Sequence, residues 1–385
     1  MTDVVELLRQ LVSISSVSRD SNRPVIAYAQ SVLANAGWIF QEHAYRDPSG
    51  VEKVNLITSL GELPASRQVE LALVCHTDTV PYSADWPEAT TLIAYGEYLK
   101  GCGACDVKGF LACILAAVVG IDPNRLKKPL AIVLTADEEI GCVGVRRLVD
   151  EQAITPRYAI IGEPTSLRPV RAGKGYCLAE INVTGSEAHS AFPDKGVSAI
   201  YSAAKLITEI QKIAERLKDQ GAEEFSPPFT TINIGEIHGG LAKNIIPPSC
   251  TFLLEWRPIA GQDPHLVPTL VEEAVARLSQ ADPNFQCELK VLRIQEGFST
   301  AENSPLVLAL TSASGNSSAS VAFGTEAPWL QKMGAGVVVF GPGSMLSAHS
   351  PREFVPHGEL LRCAEILTTV IYDLCGGESR DYIRN

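Results

Sequence analysis

Short apolar runs alternate with segments of helical length along the first part of the chain, up to about residue 165. The runs "KVNLITSL", "VELALVC", "PLAIVLTA" and "YAIIG" are rich in Val, Ile and Leu and are bounded by turn residues, so they predict buried strands. The stretches "VKGFLACILAAVVGI" and "GVRRLVDEQ" have the length and spacing of helices. Near-continuous apolar strands that alternate with helices predict an α/β sheet with helices on both faces.

The middle of the chain has a different pattern, from Gly175 to about Arg293. Its strands alternate more regularly between apolar and polar residues, and the elements follow the order β-α-β-β-α-β, which is typical of a ferredoxin-like α+β sandwich. After about residue 300 the first pattern returns, with a helix near Pro305–Ser314, a strand in "GAGVVVFG" and a last helix that begins at His357. We therefore predict a catalytic domain formed by residues 1–174 and 294–385, with residues 175–293 inserted into it.

Composition narrows the class of protein without naming a function. The chain has 385 residues, of which 46% are hydrophobic, which is enough for a large core and favours two domains. The formal charge of −12 argues against a general nucleic-acid or anionic-membrane binder. The amphipathic, acidic start lacks the pattern of a signal peptide, and no apolar run has the length of a membrane helix. We therefore expect a cytosolic protein.

Polar side chains stand where the predicted strands end. In "LALVCHTDTVP", His76 and Asp78 follow a buried strand, and residues two apart in an extended segment project to the same side. An isolated H-x-D of this kind is most often a solvated turn. Other predicted strand ends and a glycine-rich loop, however, carry further histidine and carboxylate side chains: Asp106, Asp137, Glu138, Glu139, Glu163 and His349. In an open α/β sheet the carboxyl ends of the strands are where ligands bind, so we expect these groups to face one crevice.

Carboxylates crowded into one crevice repel each other unless cations compensate their charge. A pair of divalent cations would provide this charge, and mixed histidine and carboxylate ligands fit Zn²⁺, Co²⁺ or Mn²⁺ in a catalytic site. Adjacent Glu138 and Glu139 cannot both face a metal ion from a regular strand. One of them is therefore expected to bind metal and the other to hold the attacking water as a general base.

The blocks "HTDTVP", "GCGACDVKG", "TADEE", "IIGEP" and "GSEAHSAFPDKG" resemble, in order, those of the M20 co-catalytic metallopeptidase family. The resemblance implies a zinc-exopeptidase-like mixed sheet with an inserted lid domain, and two divalent ions, Zn²⁺ or Co²⁺. It implies that Asp106 bridges both ions and that the peptide bond after it, Asp106–Val107, is cis. The remaining implied roles are His76 and Glu163 as ligands of one ion, Glu139 and His349 as ligands of the other, Glu138 as the general base, and Asp78 as the group that orients His76.

Several longer stretches, such as "AIIGEPTSLRPVRAGKG" and "GPGSMLSAHSPREFV", most resemble the family's deacetylases of ornithine-like Nα-acetyl amino acids. In relatives, the position of His189 stabilises the oxyanion, and those of Asn244 and Arg257 bind the substrate carboxylate. Without the resemblance, His189 reads as a loop cap and Arg257 as an ordinary exposed arginine. Glu326 in "GTEAP" is our hypothesis for the partner of a substrate ammonium, with a helix cap as the alternative.

Other interpretations stay open at this point. A desuccinylase, an acetylcitrulline deacetylase or a dipeptidase would use the same machinery on another substrate. A metal-free binding protein or regulatory subunit on the same fold would have lost ligands, whereas every expected ligand is present. The family resemblance also implies a homodimer formed through the lid. Cys102 and Cys105 have C-x-x-C spacing that could mark a structural zinc or a redox pair, but we favour packed thiols.

Overall fold

The computed structural model describes residues 3–34 and 36–376 of the chain. In chain order the α-helices are α1 (Val4–Ser13), α2 (Arg23–Leu33), α3 (Lys108–Val119), α4 (Val143–Asp150), α5 (Ala199–Leu217), α6 (Leu266–Ala281), α7 (Pro305–Ser314), α8 (Ala327–Lys332) and α9 (His357–Cys375). The strands are β1 (Trp38–Arg46), β2 (Glu52–Leu60), β3 (Gln68–His76), β4 (Ile93–Tyr95), β5 (Tyr98–Lys100), β6 (Leu130–Thr135), β7 (Thr155–Gly162), β8 (Val170–Gly173), β9 (Cys177–Thr184), β10 (Thr231–Gly239), β11 (Ser249–Arg257), β12 (Gln286–Arg293), β13 (Phe298–Ser299), β14 (Ala319–Val321), β15 (Gly336–Phe340) and β16 (Phe354–Pro356).

The described residues form two compact units. The first unit contains the residues up to Arg171, Thr300–Ala319, and the residues from Thr325 onward, and the second contains Ala172–Ser299 and Ser320–Gly324. The predicted boundaries after residues 174 and 293 differ from these limits by a few residues. Nothing in the sequence assigned the short segment Ser320–Gly324 to the second unit. The predicted domain residues 1–2, 35 and 377–385 lie outside the described part of the chain.

Six strands of a larger mixed sheet lie wholly within the first unit, in the order β1-β2-β6-β3-β7-β15. Strands β6, β3, β7 and β15 run parallel to one another, whereas β2 runs antiparallel to β6, and β1 antiparallel to β2. Parallel strands are normally buried on both faces, which explains why β3, β6 and β7 read as continuous apolar runs.

Helices cover both faces of this sheet, as the apolar pattern predicted. Leu71, Leu73 and Cys75 of β3 belong to a core cluster with apolar side chains of α1, α2, α3, α7 and α9. The intervening Ala72 and Val74 are also buried. On their side of the sheet, α4 packs against β2, and α8 packs against β15. The helix α3 is buried almost all round because α1 and α9 lie over it, which matches its lack of a polar face.

The second unit has the predicted β-α-β-β-α-β order, formed by β9, α5, β10, β11, α6 and β12. Its four-stranded antiparallel sheet has the order β10-β11-β9-β12. The helices α5 and α6 pack together and bury one apolar face of the sheet in a separate core cluster. Alternating burial along β9 and β11 shows the half-buried strands that the period-two pattern predicted.

Candidate active site

The polar residues singled out at the strand ends of the first unit meet at one edge of its sheet. The parallel strands β3, β6, β7 and β15 all end at this edge, because parallel strands share one carboxyl end. The last residue of β3 is His76, Glu163 directly follows β7, and Glu138 and Glu139 lie in the turn after β6. The loop after β15 carries His349, which has a positive φ of 55°.

Asp106 is the centre of this group of side chains. Its Oδ1 lies 3.2 Å from His76 Nε2, and its Oδ2 lies 3.0 Å from His349 Nε2. The same His349 nitrogen lies 3.3 Å from Glu139 Oε1. The peptide bond between Asp106 and Val107 is cis, as the family resemblance implied. One buried carboxylate therefore joins two histidines that come from distant parts of the chain.

Asp78 connects the end of β3 with the turn after β6. Its backbone carbonyl, 3.0 Å from His76 Nδ1, is the closer partner of that imidazole, while its carboxylate lies 3.8 Å away. The carboxylate instead accepts hydrogen bonds from the Ser18 hydroxyl and from the backbone N–H groups of Glu138 and Glu139, at 2.8 to 3.3 Å. The main chain of Asp78 is thus the nearest contact of the ring, and its side chain fixes the two glutamates. An orienting role of the Asp78 carboxylate on His76 stays a prediction.

The side chains of Lys53 and Tyr45 fix Asp137 in the same turn after β6. Asp137 has a positive φ of 58°, and its carboxylate lies 3.0 Å from the ammonium of Lys53, with both side chains only 1% exposed. The hydroxyl of Tyr45 donates to the other oxygen of Asp137 at 2.8 Å. These contacts fix the residue that immediately precedes Glu138.

Glu326 is a buried carboxylate at the same end of the first unit. It is 1% exposed, and neither of its oxygens has a hydrogen bond of good geometry within the described part of the chain, although the neighbouring Thr135 hydroxyl lowers its pKa. It stands at the start of α8, but its side chain makes no capping bond there, so the helix-cap alternative is not supported. Burial raises the pKa of Glu326 to about 7, although the positive charge of His76 opposes this rise.

The other charged groups of the cluster also have shifted pKa values. Burial raises the pKa of Glu138 to about 8 and that of Glu163 well above its ordinary value, and neighbouring carboxylates add to both shifts. Hydrogen bonds to Asp106 and Glu139 raise the pKa of His349 to about 10. Burial alone would raise the pKa of Asp106, but hydrogen bonds from His349 and His76 lower it below its ordinary value. With no other cation, the cluster therefore balances its negative charge with protons.

This donor set fits divalent metal ions. One ligand atom each from His76, Asp106 and Glu139 lie within 4.8 Å of one another, which is the spacing of side chains around a shared ion. Imidazole and carboxylate are ligands that Zn²⁺ and Co²⁺ accept. Two divalent ions would replace the protons that the crowded carboxylates otherwise need. The additional ligands expected from the sequence, Glu163 and His349, lie at the same edge of the sheet.

The predicted oxyanion donor and two of the predicted substrate ligands lie in the second unit. His189 is exposed and forms an isolated bridge with Ile245, and the backbone carbonyl of Asn244 accepts from Ser190 N at 3.0 Å. Ala191 N donates to His189 Nδ1 at 3.1 Å. A neutral imidazole that accepts at Nδ1 carries its proton on Nε2, so His189 presents an N–H donor.

Arg257, at the end of β11, already has contacts within the second unit. Its Nε lies 2.9 Å from Glu255 Oε1, its Nη1 donates to the carbonyl of Ala322 at 3.2 Å, and its guanidinium stacks 4.7 Å from the ring centre of Tyr176. The interpretation as an ordinary exposed arginine is therefore too simple. These contacts hold the guanidinium in one orientation.

The cysteines near the site are packed thiols, as we favoured. Cys75, Cys102 and Cys105 are buried and free, and burial raises the pKa of the Cys102 thiol to about 11. Among the described residues, the cluster of potential metal ligands contains no cysteine.

One buried acid next to this loop, Glu353, was not among the predicted site residues. Glu353 accepts hydrogen bonds from the backbone N–H groups of Gly103, Cys105 and Asp106.

An α/β sheet with histidine and carboxylate ligands at its carboxyl edge, together with a ferredoxin-like insertion, defines the class of metal-dependent hydrolases. A family model described as peptidase family M20/M25/M40 matches residues 72–373. The chain belongs to this family and is therefore a hydrolase that acts on amide bonds. The resemblance found in the sequence motifs is thus confirmed.

Relatives agree with this assignment along the full length of the chain. The chain is 44% identical over 382 residues to an acetylornithine deacetylase of Myxococcus xanthus, covering 98% of this chain and 100% of the relative. It is 33% identical to an acetylornithine deacetylase of Salmonella heidelberg (strain SL476), covering 96% of this chain and 97% of the relative. The crystal structure of aminopeptidase PepT from Bacillus cereus ATCC 10987 has a TM-score of 0.78 at 22% identity, covering 96% of this chain and 98% of that chain. This structural likeness confirms the predicted fold class.

Within the described residues, no helix has the length and apolar character needed to cross a membrane.

Proposed function

We propose that the protein removes the acetyl group from N2-acetyl-L-ornithine to give L-ornithine and acetate, a step of arginine biosynthesis. The observation that carries this proposal is the 44% identity, over the full length, to an acetylornithine deacetylase. The cluster around Asp106 supports it, because removal of an acetyl group from an amine is an amide hydrolysis that such a donor set can perform.

Two divalent ions, Zn²⁺ or Co²⁺, would bind at this cluster in the proposed enzyme. Asp106 would hold both ions, with His76 and Glu163 on one side and Glu139 and His349 on the other. When bound, such ions polarise the amide carbonyl and acidify water. The contacts of Asp106 with His76 and His349 support this division, since its two oxygens already face different histidines.

Glu138 would act as the general base. It would take a proton from the attacking water and pass it to the amine that leaves. Burial raises the pKa of Glu138 to about 8 in the absence of metal, and bound cations would lower this pKa. The carboxylate would then be free to take the proton from water and pass it on. The Asp78 carboxylate would keep this residue in place through its bond to the Glu138 backbone.

The second unit would act as a lid that contributes binding groups. The Nε2–H of His189 would donate to the oxyanion that forms when water adds to the acetyl carbonyl. Arg257 and Asn244 would bind the substrate carboxylate, for which a guanidinium held in one orientation is well suited. The contacts that hold Arg257 on Tyr176 and Glu255 support this role.

Glu326 would pair with the side-chain ammonium of ornithine. Its buried carboxylate oxygens have no hydrogen bond of good geometry within the described residues and no cation beside them other than His76 among the causes of its pKa shift, and an ammonium would provide both donors and a compensating charge. We expect Glu326→Gln to reduce the preference for acetylornithine over an uncharged acetyl-amino acid such as acetylleucine. Equal kcat/KM ratios for the two substrates in the variant and the original protein would contradict this role.

The function is tested by acetate release from Nα-acetylornithine, using metal-stripped protein refilled with Zn²⁺ or Co²⁺. We expect turnover only after refilling, and a loss of about 10²- to 10⁴-fold in kcat for Glu138→Ala, the range typical of a missing general base. Glu151→Ala, which removes an acid half exposed at the surface, is the control. Turnover of another acyl-amino acid in place of acetylornithine would retain the mechanism and reject the substrate. A metal-dependent rate that is unchanged in Glu138→Ala would reject the mechanism.

We further propose a cytoplasmic homodimer that forms through the second unit. Large apolar side chains are exposed at the start of α5 and after β10, including Tyr201 at 75% and Leu241 at 68%. They line a cavity of about 770 Å³, and exposed apolar patches of this kind often mark interfaces. Sedimentation should give twice the chain mass of 41.3 kDa, and Tyr201→Glu should shift the equilibrium to the single chain. A single-chain mass for the unmodified protein would refute the dimer.

A further inference from the structure

Glu353 is a buried acid to which the proposed reaction assigns no role. It lies immediately before β16 and is 3% exposed. Its Oε2 accepts from Gly103 N at 3.0 Å, and its Oε1 accepts from Cys105 N at 2.9 Å and Asp106 N at 3.0 Å. All three donors belong to the loop between β5 and α3. A buried carboxylate with three amide donors is thus held by one loop that is about 250 residues away in sequence.

The three amides form a cradle that suits a carboxylate. Backbone N–H groups from consecutive turn residues create a concave site for an anion. Gly103 adopts a positive φ of 75°, and a Cβ at this position would lie 2.9 Å from side-chain atoms of Lys108 and Thr79. Glycine at position 103 therefore suits the turn that brings the amides toward Glu353. The last of the three amides belongs to Asp106, whose side chain lies between His76 and His349.

The backbone around Glu353 is joined to the same loop. Gly101 N donates to the Glu353 carbonyl at 3.4 Å, and Phe354 pairs with Lys100 where β16 meets β5. Since Glu353 is only four residues beyond His349 in the chain, the segment that carries this histidine and the loop that carries Asp106 are bonded to each other. The side chain of Glu353 adds three hydrogen bonds to this link, all from backbone amides of the Asp106 loop.

We propose that Glu353 is a positioning residue that fixes the Asp106 loop in its metal-binding conformation before any ion binds. It acts through the backbone and touches neither substrate nor metal. This inference rests on the proposed metal centre, because it assigns Asp106 the central place there. The loop amides then have a carboxylate partner in the metal-free protein, so their order does not depend on metal.

The first test uses the unmodified, metal-free protein and measures amide hydrogen exchange with residue-level resolution. We expect the amides of Gly103, Cys105 and Asp106 to exchange much more slowly than those of the exposed turn at residues 83–85. Fast exchange of the three amides in the metal-free protein, followed by protection on addition of Zn²⁺, would overturn the proposal. This test needs no variant, so it remains decisive if substitutions prevent folding.

The second test compares Glu353→Gln with Glu359→Gln. Glutamine keeps the shape of Glu353 but replaces one acceptor oxygen with a donor, so at least one amide loses its partner. Loss of a charged hydrogen bond corresponds to about 10- to 100-fold faster exchange of the loop amides. We also expect about 10- to 100-fold weaker Zn²⁺ binding in a chelator competition, as for other groups that support metal ligands. Glu359 accepts one backbone amide, that of Gly343, at 2.7 Å, so it controls for a carboxylate-to-amide bond outside the Asp106 loop.

The outcomes separate this inference from the proposed function. The positioning role would be overturned if Glu353→Gln and Glu359→Gln had the same amide exchange rates in the Asp106 loop and the same affinity for Zn²⁺. If the unmodified protein bound no Zn²⁺ at all, the metal centre would be rejected. The exchange rates of the three amides would still decide whether Glu353 holds the loop.

Discussion

The two groups of predicted functional residues lie in different surroundings. In the first unit, His76, Asp78, Asp106 and Glu163 are each at most 5% exposed, whereas the side chain of His349 is 48% exposed. In the second unit, His189 and Asn244 are exposed, and their contacts are mainly with neighbouring backbone. Burial therefore holds most of the first group in place. The second group consists of polar groups on the surface of the second unit.

This difference has a physical reason. Carboxylates that bind metal must be kept close together against their own repulsion, which requires a rigid frame of strands and buried hydrogen bonds. A group that donates one hydrogen bond to a transient oxyanion needs only the correct proton position, which the bond from Ala191 N to His189 provides. Substitutions in the first group should therefore affect stability and chemistry together, whereas those in the second should affect chemistry alone.

The largest expected effect on stability follows from Lys53→Met. This change leaves the buried carboxylate of Asp137 without its cation, and breaking a buried ion pair typically lowers the free energy of unfolding by about 3 to 5 kcal/mol. Urea unfolding of the metal-free protein measures the loss. The control is Lys128→Met, whose pair with Glu70 is 2.9 Å long but 46% exposed on the lysine side, so its loss should be below about 1 kcal/mol. Equal losses in the two variants would show that the turn before Glu138 does not depend on Lys53.

His189→Ala should lower the rate of the reaction and leave the stability of the protein almost unchanged. We expect kcat for acetate release to fall by about 10²- to 10³-fold, the usual effect of removing one oxyanion donor. The free energy of unfolding should change by less than about 0.5 kcal/mol, because the side chain is exposed. His238→Ala, another exposed histidine of the second unit, should leave both quantities unchanged. A large loss of stability in His189→Ala would remove the contrast between the two groups.

The pH dependence of stability in Glu326→Gln tests the effect of burial on a carboxylate of the first unit. The pKa of Glu326 rises from an ordinary value of 4.5 to about 7 in the folded, metal-free protein, so the folded state binds the proton more tightly than the unfolded state. Stability is then lost as pH rises from about 4.5 to 7, and the glutamine variant avoids this loss. The variant should gain up to about 3 kcal/mol over the unmodified protein between pH 5 and pH 8, at 1.36 kcal/mol per unit of pKa. A stability difference that does not change with pH would show that Glu326 is ionised and has a partner.

Most of the fold could be read from the sequence because its signals are local. The apolar runs of β3, β6, β7 and β15 reflect burial on both faces of the sheet. The alternating strands of the second unit reflect burial on one face. The residues at the strand ends could be found for the same reason, since the end of a parallel strand fixes where a side chain lies.

Other features depend on contacts that the sequence does not reveal. Glu353 reads as one more acid near a strand, and its role depends on loop amides about 250 residues away. Which oxygens of Asp78 lie nearest His76 depends on backbone and side-chain torsions, which residue spacing does not determine. The segment Ser320–Gly324 joins the second unit through tertiary contacts, such as the bond from Lys174 N to the Val321 carbonyl.

The most direct test of the central claim is an anomalous difference map from crystals grown with Zn²⁺ and measured at the zinc absorption edge. We predict two peaks on either side of the Asp106 carboxylate, about 3.5 to 4 Å apart. One peak should lie beside His76 and Glu163, and the other beside Glu139 and His349. A single peak, or peaks away from Asp106, would contradict a two-metal centre at this edge of the sheet.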